Sequence, residues 1–212
     1  MKAGYLNLVT FFVFFACTPS VYFETPQPES KKDLKEFPSK IRGVYWQTND
    51  SVLMKIDAQA ILLTKYILTE DTVNSLIREL GFVPQSDTVV KYSAWETVSC
   101  TIKDSIIFTT YARTDTLFSV ERGDLLRKYK GHYFLNRFFG KNMWDISTLN
   151  LEQGLVQIAP LVTTDELVQM PEVSIDSPLV DSTKIYLIKP EAKDLKKMLK
   201  SYDNATFYVK QK

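Results

Sequence analysis

From Ile41 onward, short runs of branched and aromatic residues alternate with polar breaks, a pattern that predicts β-strands. Residues 41–46, 51–56 and 60–68 form a first series. Residues 95–102, 105–111 and 116–120 form a second, with Lys103-Asp104 and Arg113-Thr114-Asp115 as the turns between them. Residues 129–136, 144–151 and 155–161 form a third, and 184–188 and 206–210 close the chain. Helices are few. Val73, Leu76, Ile77 and Leu80 share one face at helical spacing, as do Ala192, Leu195, Met198 and Leu199 after Pro190. Thr163 to Glu166 has the spacing of a capping box, and Pro171 ends the short helix that the box would start. The pattern predicts a mostly β, α+β fold: one antiparallel, barrel- or clam-like domain over 41–212, with two or three short helices.

A faint internal similarity runs through this domain. Ile41-Arg42-Gly43-Val44-Tyr45-Trp46 matches Tyr129-Lys130-Gly131-His132-Tyr133-Phe134, and Ala60-Ile61-Leu62 matches Gly154-Leu155-Val156. Order is kept, which suggests half-repeats over 41–122 and 125–212. Two unrelated strands that each start with a glycine give the same local match.

The N-terminus changes the picture. Lys2 is followed by an apolar run from Leu6 to Ala16 that is too short for a bilayer, which needs about 20 residues. It ends at Phe14-Phe15-Ala16-Cys17, a small residue followed by cysteine. Residues 1–16 therefore read as a secretory signal peptide. Pro19, Pro26, Pro28 and Pro38 then predict a flexible tether over 17–40, long enough to hold the domain up to roughly 60 Å from its attachment.

Composition narrows the chemistry. Lys and Arg total 26 against 25 acids, and loss of residues 1–16 leaves 25 of each. Nucleic acid binding needs a basic face, so it is not expected. The 7 glycines offer little for phosphate loops, and no cofactor is implied. His132 is the only histidine, too few for a zinc site or a triad. The acid pairs Glu70-Asp71 and Asp165-Glu166 stand at predicted helix starts, where they cap free N–H groups. Cys100 alternates with Val98 and Ile102 and reads as a small buried hydrophobe.

Two features remain. Phe138-Phe139 sits among Asn136, Arg137, Gly140, Lys141 and Asn142, which are polar, turn-type residues. An aromatic pair on a loop tip beside Arg137 and Lys141 suits a partner's pocket or a membrane interface; alternatively both rings fold back on the core. Asp followed by Ser or Thr and then an aliphatic residue or Thr recurs at Ser51, Thr72, Thr88, Ser105, Thr116 and Ser182. It is similar to the O-glycosylation acceptor of exported proteins in the Bacteroidota. It equally suits a turn residue followed by the start of a strand.

The Phe14-Phe15-Ala16-Cys17 end of the apolar run resembles a lipobox, which implies acylation of Cys17 and leaves Cys100 without a disulfide partner. Together with the Pro-rich segment, Phe37-Pro38-x-x-Ile41-x-Gly43-x-Tyr45 and Tyr129 to Asn136, the chain resembles uncharacterised outer-membrane lipoproteins of the Bacteroidota. The G-x-Y strand starts are also faintly similar to the lipocalin strand motif. No Asp follows Cys17, so the outer membrane, facing the periplasm, is the expected location. The expected function is a non-enzymatic, lipid-anchored envelope protein that binds an outer-membrane or periplasmic protein. The alternative is a carrier of a lipid or other hydrophobic small molecule in a β-enclosed cavity.

Overall fold

The computed structural model describes residues 20–72, 83–86, 89–92, 96–170, 175–176, 179–180, 183–199 and 204–211. In chain order the strands begin with β1 (Ser20–Phe23), β2 (Gly43–Gln47), β3 (Val52–Ile56) and β4 (Ala60–Thr72). Then come β5 (Val83–Ser86), β6 (Val89–Tyr92), β7 (Glu96–Lys103) and β8 (Ile106–Ser119). The next four are β9 (Leu125–Tyr129), β10 (His132–Gly140), β11 (Met143–Glu152) and β12 (Leu155–Pro160). The last are β13 (Ile175–Asp176), β14 (Leu179–Val180), β15 (Thr183–Ile188) and β16 (Thr206–Lys210). Two short helices, α1 (Thr164–Val168) and α2 (Ala192–Met198), complete the fold.

The expected mostly β single domain is what forms: a large mixed, mainly antiparallel sheet with two short helices. Its central path runs β9-β10-β11-β12-β16-β2-β3-β4-β8. Every strand on this path sends a side chain into one cluster that includes Tyr45, Met54, Ile61, Phe118, Leu126, Tyr133, Leu149, Val156 and Tyr208. A flat sheet cannot do that, so the sheet curls into a barrel-like form. One side-chain contact spans the opening between its ends: Arg137 on β10 donates to the carbonyl of Leu117 on β8 at 3.4 Å. Leu117 is free to accept because a β-bulge falls there, between Phe118 opposite Ile61 and Thr116 opposite Leu62.

The gap between β8 and β9 is filled by residues 34–41. Leu34 bridges Leu126, its N–H donating to the Leu126 carbonyl at 2.7 Å. Phe37 is fully buried and meets Phe118 edge-on, with ring centroids 5.6 Å apart. Tyr45 donates to the Ile41 carbonyl at 2.8 Å.

This corrects the expected tether. From Ser20 on, the segment belongs to the domain. β1 pairs in parallel with β15 over its full length, and Phe23 is buried. Asn136, fully buried, accepts from the Gln27 N–H at 2.6 Å and donates to the Gln27 carbonyl at 2.9 Å. Arg127 donates to the Pro26 carbonyl at 2.5 Å, the Pro28 carbonyl at 3.1 Å and the Asp33 carboxylate at 2.7 Å. The prolines disfavour helix and sheet ladders, but these two side chains supply the missing backbone partners.

A second apolar cluster lies on the outer face of β10 and β11. Phe134 and Ile146 meet Phe23 from β1, Ile188 from β15, Leu167 from α1, and Leu195 and Met198 from α2. The expected capping box starts α1: Glu166 N–H donates to Thr163 Oγ1, and the Glu166 carboxylate accepts from Thr163 N–H. The helix after Pro190 is α2, while the one expected over 73–80 lies outside the described residues.

Two turns differ from expectation. Arg113-Thr114-Asp115 runs inside β8, because β4 extends far enough to pair with it; Thr64 and Thr114 hydroxyls meet at 2.9 Å. Lys130-Gly131 is a turn between β9 and β10, with φ of 48° and 88°, the left-handed conformations of a tight hairpin. Asp104 and Ser105, at φ 52° and 65°, turn the β7–β8 hairpin near where a turn was expected.

Candidate functional site

The β10–β11 hairpin carries the aromatic tip. Lys141 and Asn142 make its turn, both with positive φ. Phe138 and Phe139 are 54% and 61% exposed, so the rings do not fold back into the core. Phe138 packs beside Trp144 at 5.2 Å between centroids, and Phe139 lies 4.6 Å from Tyr22 of β1. Arg137 forms a half-exposed ion pair with Asp145, which cancels the charge at the base of the tip and leaves Lys141 as an exposed cation at its end. Burial raises the Tyr22 phenol pKa, reinforced by Asp145, while a hydrogen bond from the Ser20 side chain and the Arg137 charge act in the other direction. Tyr22 stays neutral at physiological pH, so the rim is aromatic rather than anionic.

A second exposed apolar surface, not among the expectations from the sequence, lies elsewhere on the sheet. Trp46 on β2, Tyr66 on β4, and Phe207 and Val209 on β16 all point to the outside of the barrel. Val209 lies directly opposite Trp46, and the Trp46 and Tyr66 rings are 5.8 Å apart. The signal was present in the alternation: Trp46 follows inward-facing Tyr45, and Phe207 and Val209 flank inward-facing Tyr208. Among the described residues, only the absence of a covering layer distinguishes them from a second core.

Of the six hydroxyl sites, Ser51, Thr72 and Ser105 are exposed and Thr116 is half-buried. Asp50 accepts from the Ser51 N–H at 2.7 Å, a turn role that needs no modification. Thr88, Ser182 and Cys17 lie outside the described residues. Cys100 is buried, as expected from its alternation with Ile102. His132 is half-buried, and burial lowers its pKa. Among the described residues, no three of His, Cys, Asp and Glu lie close enough together to hold a metal.

A cleft of about 530 Å³ lies between Gln27–Ser30 and the start of α2, outside the barrel. The barrel interior itself is occupied by Phe37, Ile41, Tyr45, Met54, Tyr133 and their neighbours. Among the described residues, the fold and these surfaces define a β-rich module with an apolar, side-chain-packed interior and two exposed aromatic patches. The chain matches no family model, no curated protein and no solved structure.

Proposed function

We propose that this chain is a non-enzymatic, lipid-anchored envelope protein, held at Cys17 on the periplasmic side of the outer membrane, where it binds a protein partner. The observation that carries this reading is the stripe of Trp46, Tyr66, Phe207 and Val209 on the sheet, which no described residue covers. Large aromatic anchors on a fixed scaffold are what protein interfaces use. The carrier reading has less support, because the β-enclosed space is filled with side chains.

The test uses the full chain in its own membrane. Crosslinking followed by identification of the neighbours should return a partner that the Trp46→Ser, Phe207→Ser double variant loses. Retention of every partner by that variant removes this surface from the reading. Cys17→Ala should release the protein from the membrane, and labelled fatty acid on that variant would refute the anchor.

A further inference from the structure

We infer that the rim formed by Tyr22, Phe138, Phe139 and Lys141 is where the domain rests on a lipid bilayer; this rests on the reading that Cys17 carries the anchor. The argument begins with the length of chain available. The described structure begins at Ser20, three residues after Cys17. At a covalent limit of about 3.6 Å per residue, Ser20 stands within roughly 11 Å of the acylated residue. Tyr22 stands within roughly 18 Å by the same limit. Even fully stretched, such a leash takes Ser20 only about 5 Å beyond a headgroup layer that is itself about 6 Å deep per leaflet, so this edge of the domain stays beside the membrane surface.

Nor can the leash lengthen cheaply. Each residue of β1 is paired with β15, from Ser20 opposite Ile185 to Phe23 opposite Ile188. Peeling β1 away would expose Phe23, which is 1% exposed in the fold.

The face that this leash holds at the membrane is the one that suits it. Tyr22 is two residues from the start of the fold, and its ring lies against Phe139. Phe138 stands beside Phe139 on the same exposed tip. Aromatic rings settle at the boundary between headgroups and acyl chains, and a lysine at the tip reaches the phosphates from there. The charges beneath do not oppose this, because Arg137 and Asp145 are paired. The open stripe at Trp46 is on a different strand set, so the bilayer and a protein partner need not compete.

The experiment uses the full, lipidated chain in vesicles of phosphatidylethanolamine and phosphatidylglycerol. Single variants Phe139→Cys and Phe207→Cys carry an environment-sensitive fluorophore, and quenching by spin-labelled lipid is read. Cys100 is buried, so the introduced thiol takes the label. Quenching should be several-fold stronger at 139 than at 207, and Lys141→Cys should behave like 139. Equal weak quenching at 139 and 207 in vesicle-bound protein overturns the docking face and leaves the anchor standing, and stronger quenching at 207 does the same. If the wild-type chain takes thiol label at Cys17, the anchor falls, and the docking face falls with it.

Discussion

Two four-stranded regions of this sheet are built alike inside and differently outside. In one, β9-β10-β11-β12, Tyr133 faces Leu149, which faces Ile158; in the other, β16-β2-β3-β4, Tyr45 faces Met54, which faces Leu63. Each tyrosine has a lysine across the neighbouring strand, Lys128 at 5.3 Å and Lys210 at 5.9 Å from the ring centre. The residue after each tyrosine points outward. Phe134 is fully buried there, while Trp46 is 37% exposed. The inner face is set by alternation along each strand, but whether the outer face becomes core depends on what distant segments cover it. Here β1, β15 and both helices cover only one region.

Three substitution pairs probe that contrast. Phe134→Ala should cost about 3–5 kcal/mol, because it empties a site buried on all sides, whereas Trp46→Ala should cost about 1–2 kcal/mol. Denaturant titration of both variants checks this, and equal losses would mean that the open face is covered in solution.

The next pair concerns the clamp on the N-terminal segment. Asn136→Ala strands the buried N–H and carbonyl of Gln27 and should cost about 2–3 kcal/mol. Limited proteolysis should then cut within residues 24–34. Thr48, an exposed position on the other region, should change stability by no more than about 0.5 kcal/mol when made Ala.

The smallest effect separates the tyrosines themselves. Tyr45 donates to Ile41, while the buried Tyr133 hydroxyl has no hydrogen-bond partner among the described residues. Tyr45→Phe should cost about 1 kcal/mol, and Tyr133→Phe less than that. The Tyr45 variant should also change the alkaline limb of a stability profile. Burial raises the Tyr45 phenol above its ordinary 10.0, so the fold binds that proton more tightly than the unfolded chain. Its stabilisation is complete below about pH 10 and is lost as pH climbs through the folded value. Tyr45→Phe removes this part of the loss, and unfolding titrations between about pH 9 and 11 read it.

Much of the sheet was legible because its strands obey local alternation: residues 52–56 and 206–210 alternate between inside and outside. The aromatic tip was legible because Phe138 and Phe139 stand among turn residues. The fold of residues 20–41 was not, since the groups that hold it are remote. Asn136 is 109 positions from Gln27, and Arg127 is 94 from Asp33. The shared G-x-Y pattern also hid a difference. Gly43 stands within a strand run at φ 148°, a conformation that residues with a side chain rarely adopt. Gly131 has open space around it and serves a turn.

The parallel seating of β1 against β15 sets an order of events for a chain that emerges from its N-terminus. Ser20 and Ile185 are 165 positions apart, so β1, which meets β11 only at Trp144, cannot complete its pairing until nearly all the rest has appeared. On the proposal that Cys17 is acylated, an emerging chain would present that residue while β1 is still unpaired along β15. On the proposed anchor, maturation of the terminus would then precede completion of the sheet, since β15 and β16 are the last strands to appear.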